Sequence, residues 1–374
     1  MSKIPQEPSQ VPKQADPDGE YLDLWGSGGY EVGDVEAIEA DGAGVGTVAR
    51  SAHKKRKWPK IFLSALLVAV LLVVGVLFYY FRSVTTALNG IRRDPNLMPD
   101  QAAVQPIQPG KPINFVLMGT DNRAGVSGAR SDSLIVAQLS GDREHLYLVS
   151  FLRDMWVTIP ANKVVQKDSK AKINAAYSWG GPALTIKTLQ NLTGVQMDHA
   201  VIIDFPGFVS LTDEIGGVTV YNSQAGSMEG ESFSQGNITL SGERALKYVR
   251  ERKDLANGDL DRAARQRAVI TAILEKSMSG DVISNPKKFN QVLQVYSKNT
   301  TVDAGLTPAN IRKIATSLRL KDNSSIVQVQ APISGFGKSK DGQAYDIVDE
   351  QGLAELSSAL KDGRMADYVA NHPQ

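Results

Sequence analysis

The stretch INFVLMGTDNRAGVSGARSDSLIVAQLSGDREHLYLVSFLRD, residues 113–154, decides the reading of this chain. Three apolar runs stand out in it: Ile113–Met118, Ser133–Leu139 and His145–Phe151. Each has strand length and is rich in β-branched and aromatic residues, and each is bounded by Gly, Asp or Ser turns. Downstream, strand-like and helix-like runs alternate, which predicts an α/β or α+β domain over 111–374. GPALTIKTLQNLTG at 181–194 reads as a helix, HAVIIDF at 199–205 and GVTVY at 217–221 as strands. SGERALKYVR at 241–250 opens on Ser241, a candidate N-cap. A long helix is predicted from Arg262, with two more near 286–297 and 308–319. Late strands are expected at 325–332 and 344–348, then a helix at 350–361. No internal repeat is visible.

Upstream, the chain divides by charge. The first 49 residues hold ten acidic residues against Lys3 and Lys13. With no apolar periodicity, they cannot bury enough surface to offset ordering entropy and read as disordered through residue 57. GAGVG at 43–47 has no strand before it and reads as flexible chain. A basic cluster follows, His53 to Lys57, and then Ile61 to Phe81 without one charge. Such a run rises about 32 Å as a helix, enough to cross a bilayer core. It is too long and begins too late for a cleaved signal peptide. It also has no polar face for a soluble helix. A transmembrane helix over 58–82 is therefore expected. The flanking charges place the N-terminus in the cytoplasm and the following residues outside, in a cell membrane protein with a single pass. Residues 83–110, broken by ProAsnLeuMetPro and GlnProIleGlnProGly, read as a stalk with a short helix at its start.

Composition narrows the chemistry. The 374 residues carry 41 Lys+Arg, 40 Asp+Glu, four His and no Cys, for a net charge of +1. Bulk-charge binding of nucleic acid is excluded, as are thiolate catalysis and Cys-ligated zinc. There is no GxSxG, HExxH or phosphate loop; Gly337-Lys338-Ser339 lacks the upstream Gly, since Pro332 stands there.

What the sequence has instead is Arg beside Asp at the ends of elements. The clusters are GTDNR (119–123), ARSDSL (129–134), LRDMW (152–156), YVRERKD (248–254) and DLDRAARQR (259–267). Arg123, Arg130, Arg153, Arg250, Arg252, Arg262, Arg265 and Arg267 interleave with Asp121, Asp132, Asp154, Asp259 and Asp261. On a helix Arg262 and Gln266 share a face, with Arg265 beside them. If their segment is extended, Arg250 and Arg252 share a side. Three clusters flank predicted strand ends, and in α/β sheets such loops gather at one edge and hold the ligand. Guanidinium forks match phosphate oxygens bidentately and stay charged, so several on one site suit a diphosphate. Asp121 and Asp132 would repel that ligand unless a cation such as Mg²⁺ lay between. The competing reading is dispersed surface salt bridges, each worth little. Lys172 and Asn174 in KINAAY read as a helix start. Trp156, Tyr177, Trp179, Phe205 and Phe208 read as core or groove lining.

These clusters, in this order behind one membrane anchor, resemble the LytR–CpsA–Psr family of bacterial cell-wall enzymes, most clearly over 112–280. The resemblance implies a mixed central sheet flanked by helices, with an apolar tunnel for a lipid tail. It implies a phosphotransferase that takes a glycopolymer from a polyprenyl-pyrophosphate carrier and joins it to peptidoglycan through a phosphodiester. Asp121 and Asp132 match the family's metal-binding acids (Mg²⁺ or Mn²⁺), and Asp121 is also a candidate base. Arg130, Arg153, Arg250, Arg252, Arg262 and Gln266 match its pyrophosphate-binding set, with Lys172 alongside. With Asp121 and Asp132, Arg153 and Arg252 make the expected catalytic group. The chain departs from the family pattern at Leu152, where Pro is usual, at Ser133 for Thr and at Arg267 for Gln. Leu152 bears on the backbone setting of Arg153. Rival functions are a hydrolase of lipid-linked pyrophosphate, and a non-catalytic module binding anionic lipid or wall polymer or acting as an attenuator.

Overall fold

The computed structural model describes residues 58–99, 107–121 and 131–373. The acidic tail, Arg123 and Arg130 lie outside the described residues. The chain runs α1 (Trp58–Gly90), β1 (Arg92–Asp94), β2 (Ile113–Thr120), β3 (Ser131–Leu139), β4 (Leu146–Phe151), β5 (Trp156–Ile159) and β6 (Ser169–Lys172). Then come α2 (Asn174–Thr193), β7 (His199–Asp204), α3 (Phe205–Glu214), β8 (Val218–Asn222), β9 (Gly226–Met228), β10 (Glu231–Phe233) and β11 (Gly236–Leu240). Next are α4 (Gly242–Arg250), α5 (Asp259–Ser277), α6 (Gly280–Ile283), α7 (Pro286–Asn299), β12 (Thr301–Asp303) and α8 (Pro308–Ser317). The chain closes with β13 (Ile326–Gln330), β14 (Ile333–Lys338), β15 (Ala344–Val348), α9 (Glu350–Asp362) and α10 (Met365–Asn371).

Seven strands form the central sheet in the order β1-β12-β7-β2-β3-β4-β13. It is mixed: β2 runs parallel to β7 and antiparallel to β3, and β4 runs antiparallel to β3 and parallel to β13. Helices cover both faces, which is why the strands read as continuous apolar runs. Val116, Met118, Val136 and Val149 face Ile186 and Leu189 of α2 and Leu356 and Leu360 of α9. The alternate residues Phe115, Leu117, Ile135 and Leu148 face Ile270 and Leu274 of α5. A second core joins α3, α4 and one side of α5 to β8 and β11 around Phe233, Leu240 and Tyr248.

Within the segment read as a stalk, 83–110, the described residues 83–99 pack against the domain. Helix α1 continues through its first residues to Gly90, and Ala87, Leu88 and Leu97 are buried. Residues Arg92–Asp94 add an edge strand parallel to β12. Arg93 fastens it, donating from Nε to Leu306 O, from Nη1 to Ile91 O and from Nη2 to Leu88 O. The described residues contain one helix long and apolar enough to cross a membrane, over Leu66–Gly90 of α1.

Three local readings also change. The helix expected at 181–194 is the second half of α2, which kinks where Gly181 adopts φ +66° ahead of Pro182. That left-handed setting favours glycine. Ser241 sits at the N-cap of α4 with extended backbone, yet its hydroxyl makes no cap bond. Thr212 Oγ1 accepts the N–H of Gly242 instead, at 2.9 Å. The strand at 199–205 stops at Asp204, because that carboxylate caps α3 by accepting from Gly207 N and Pro206 opens the helix.

Candidate functional site

Strand directions bring the charged clusters to one edge of the sheet. The C-terminal ends of β2, β4 and β7 point the same way, and β3 starts there because it runs against them. Asp121 follows β2, Asp132 lies at the start of β3, and Arg153 follows β4. The register shifts here, since Gly119 pairs with Ser133 whereas Thr120 pairs with Ser131. Asp132 is thus the extra residue of a bulge, a device that re-aims a side chain off the pleat. Its Oδ1 accepts from Arg153 Nη1 at 2.9 Å.

Arg153 is set by a turn. Met155 N donates to Leu152 O, and Asn174 N, at the start of α2, donates to Arg153 O. Leu152, in the position where Pro is usual, is buried in the main core, so the turn is held by packing and by α2. The Arg153 Nε lies 3.7 Å from Asp259 Oδ1, and Arg262 Nη2 lies 2.6 Å from the same oxygen. Arg262 is buried, and burial pulls its guanidinium below the usual range. Asp259 opposes that shift, while the neighbouring cations Arg153 and Arg252 add to it. Lys172 Nζ, on β6, pairs with Asp154 Oδ1 at 3.3 Å.

Of these groups, Arg153, Asp154 and Lys172 border one groove of about 990 Å³. Arg153, Arg252 and Lys172 line it, together with Trp156 of β5 and Trp179 of α2. Its far wall is the hairpin of β14 and β15, which supplies Lys338, Lys340 and Tyr345. Beneath lies Asp346, buried at 6% exposure, with Oδ2 lacking a hydrogen-bond partner. Burial pushes its carboxyl up to about 6. The nearby charges of Asp154 and Asp259 push the same way, against Lys172 and Arg153.

Several expected members stand elsewhere. Arg250 and Arg252 do not share an extended segment: Arg250 ends α4, and its guanidinium lies 5.0 Å over the Phe205 ring. Gln266 Nε2 donates to Val249 O, which ties α5 to the end of α4 ahead of Arg252. Arg265 turns away to Asn222 Oδ1 and Gln224 O, with Tyr248 stacked at 4.4 Å. Arg267 donates to Gln330 Oε1, and burial lowers its guanidinium to about 10. Asp261 accepts from Gln224 and Asn257. Tyr177, Phe205 and Phe208 belong to the cores. The reading of dispersed surface ion pairs does not fit Arg265 and Arg267, since both are buried and donate to neutral oxygens. Nor does it fit Arg153, Arg252, Arg262 and Lys172, which converge. Sequence reasoning missed Asp346, the shared role of Asp259 and the hairpin wall. The Asp341-Gly342 pair between β14 and β15 was the available hairpin signal.

A sequence profile of the LytR_cpsA_psr family matches residues 78–362. The chain belongs to the LytR–CpsA–Psr family. The match extends the family region well past 112–280, taking in the end of α1, β1 and the hairpin wall. Among LytR–CpsA–Psr relatives, the chain is 30% identical over 328 residues to the polyisoprenyl-teichoic acid–peptidoglycan teichoic acid transferase TagU of Oceanobacillus iheyensis. That alignment covers 84% of this chain and 98% of the relative. The Bacillus subtilis TagU is 30% identical over 313 residues, covering 83% and 98% respectively. The crystal structure of B. subtilis TagV superposes with a TM-score of 0.59 at 27% identity, over 69% of this chain and 99% of that one. The mixed sheet flanked by helices is thus the family's fold.

Proposed function

We propose that this chain is a membrane-anchored phosphotransferase that moves a glycopolymer from a polyprenyl-pyrophosphate carrier onto peptidoglycan, leaving a phosphodiester bond. One observation carries the reading: Arg153, Arg252 and Lys172 border one groove, with Arg262 joined to Arg153 through Asp259, at the sheet edge that presents Asp121 and Asp132. The names of the TagU relatives support the same donor and acceptor.

In this mechanism the acceptor hydroxyl oxygen attacks the phosphorus that bears the glycan. The bond from that phosphorus to the bridging oxygen breaks, and polyprenyl phosphate leaves with the electron pair. Asp121, at the end of β2, takes the hydroxyl proton. Arg153 and Arg252 hold the diphosphate oxygens and neutralise the charge that builds on the leaving phosphate. Arg262 and Asp259 keep the Arg153 fork in place. A divalent ion fits the donor set: Asp121 and Asp132 offer hard oxygens, and Asp132 is turned out by the bulge. Among the described residues no group of three or more acidic or His side chains converges, and Mg²⁺ needs only one or two carboxylates when phosphate and water complete its shell. When bound, Mg²⁺ or Mn²⁺ would supply positive charge to the diphosphate oxygens. The basic cluster before α1 orients the catalytic domain outside the cell membrane.

The test is incubation of the full chain in detergent with a labelled polyprenyl-pyrophosphate glycan, Mg²⁺ and peptidoglycan. Covalent label on the peptidoglycan is the expected result. Label released only as free glycan phosphate would mean hydrolysis and overturn the proposal.

A further inference from the structure

Helix α1 does not stand alone where its apolar run ends, because two contacts hold α7 beside it. The Tyr80 and Phe289 rings lie 6.0 Å apart between centroids. Further along, Gly90 lies so close to Ser297 that an added Cβ would come within 2.7 Å of its Oγ. Both pairs advance in the same direction along the two helices, so α7 accompanies the last turns of α1 with its first turn toward the apolar run. At about 1.5 Å per residue, the contacts are roughly 15 Å apart on α1 and roughly 12 Å apart on α7. The two helices therefore stay near parallel between them.

That pairing sets a depth. Tyr80 is the last residue but one of the uncharged run Ile61 to Phe81, and tyrosines at such a position mark the edge of a bilayer core. Phe289 thus reaches the headgroup level. Lys287 and Lys288 precede it in the first turn of α7 and lie at that level or nearer the core. Both are exposed, as is Arg82 on α1, the first residue after the run. The acid beside them is Asp281 of α6, which already pairs with Lys288 at 2.5 Å. Helix α7 itself carries Lys287, Lys288 and Lys298 and no acidic residue. A lysine at such a depth can lay its stem along the apolar edge and place its ammonium among phosphates.

Resting on the reading of α1 as a bilayer span, we propose that the corner of α6 and α7 is a second membrane contact, seated on the anionic phospholipid headgroups around α1. Lys287, Lys288 and Arg82 hold the phosphates, and the Tyr80–Phe289 pair forms the apolar edge of the contact. A lone span lets its domain tilt with the helix. A second contact beside the span resists that tilt and fixes which side of the domain faces the lipid.

The chain has no Cys, so a single introduced one can report position. Ser284→Cys, exposed in the turn before α7, and Gln294→Cys, exposed two turns beyond Lys287, each take a fluorescent dye. The full chain is inserted into phosphatidylcholine vesicles, with or without phosphatidylglycerol, whose headgroups carry a nitroxide quencher. Dye at position 284 should be quenched more than dye at position 294, and more strongly with phosphatidylglycerol at low salt. Lys287→Gln/Lys288→Gln should cut the docked-to-free ratio roughly 5- to 30-fold, since each charge near an anionic surface is worth roughly a factor of five. Lys287→Arg/Lys288→Arg should keep the quenching of the parent. In detergent, with no bilayer to dock on, the Gln variant should transfer glycan as the parent does. Quenching that is no greater at 284 than at 294, or equal in neutral and anionic vesicles, overturns the contact. So does equal quenching in the parent and the Gln variant, or loss of transfer by that variant in detergent. A chain washed from the vesicles by alkaline carbonate refutes the span and the contact together. The expected quenching with no glycan transfer at all refutes the transfer reaction and leaves the contact standing.

Discussion

Asp346→Asn isolates one buried charge beneath the groove. In the folded protein this carboxyl titrates near 6, against an ordinary 3.8, because burial and the neighbouring Asp154 and Asp259 disfavour its anion. Lys172 and Arg153 offset part of that cost. A rise of about two pH units corresponds to about 3 kcal/mol between the two protonation states. Because the folded form holds this proton more tightly than the unfolded chain does, folding is favoured most below about pH 4. The advantage is lost as pH rises through about 6. Asparagine keeps the neutral shape at every pH. At pH 7.5 the variant should therefore be more stable by about 1–3 kcal/mol, seen as a Tm higher by about 2–4 °C per kcal/mol. At pH 4.5 the gap should shrink as the parent takes up its proton. The assay is thermal unfolding of the full chain in detergent across pH 4.5–7.5. A variant that melts below the parent at pH 7.5, with an unchanged pH profile, would refute the reasoning. Such a result would mean that the Asp346 anion is stabilised in the fold.

Other substitutions test the site from different sides. Arg153→Ala should lower kcat/KM for transfer by about 10²–10³, the scale of one lost oxyanion donor, and Arg153→Lys should recover only part of it because the fork is gone. Asp132→Asn should weaken the dependence of transfer on Mg²⁺ concentration while leaving the unfolding free energy within about 1 kcal/mol of the parent, since its pair with Arg153 is partly exposed. In Gly337→Ala the new methyl displaces the Tyr345 ring from Trp156; near-ultraviolet circular dichroism should change, and about 0.5–1.5 kcal/mol of ring contact should be lost. Arg93→Ala removes the donor to three backbone carbonyls and should speed hydrogen exchange in β1 and β12 before it affects the rest of the sheet.

The parts legible in the sequence share a physical cause. Strands β2, β3, β4 and β7 are buried on both faces, so their apolar runs are continuous and bounded by turn residues. The amphipathic helices α5, α7 and α9 carry the 3.6-residue period. Strand β1 is illegible because an edge strand of Arg92, Arg93 and Asp94 has no apolar pattern to show; only its pairing with β12 makes it a strand. Helix α3 hid behind Asp204-Phe205-Pro206, where a strand runs straight into its own helix cap. In the site, the edge containing Asp121, Asp132 and Arg153 followed from strand ends alone. The fates of Arg265 and Arg267 did not, because a helix buried on several sides sends neighbouring long side chains to different partners. Asp346 lies far along the chain from its neighbours Asp154 and Asp259, and only the return of the β14–β15 hairpin brings them together.

Between helix α1 and strand β1 there is a single residue, Ile91. A joint that short leaves little room to swing, and Arg93 ties it to the end of α1 on one side and to Leu306 O on the other. With α1 spanning the bilayer as proposed, the altitude of the catalytic edge above the lipid is a constant of the fold. Reactions would then be confined to a thin layer of wall at that height, and strands further out would be beyond the enzyme's reach.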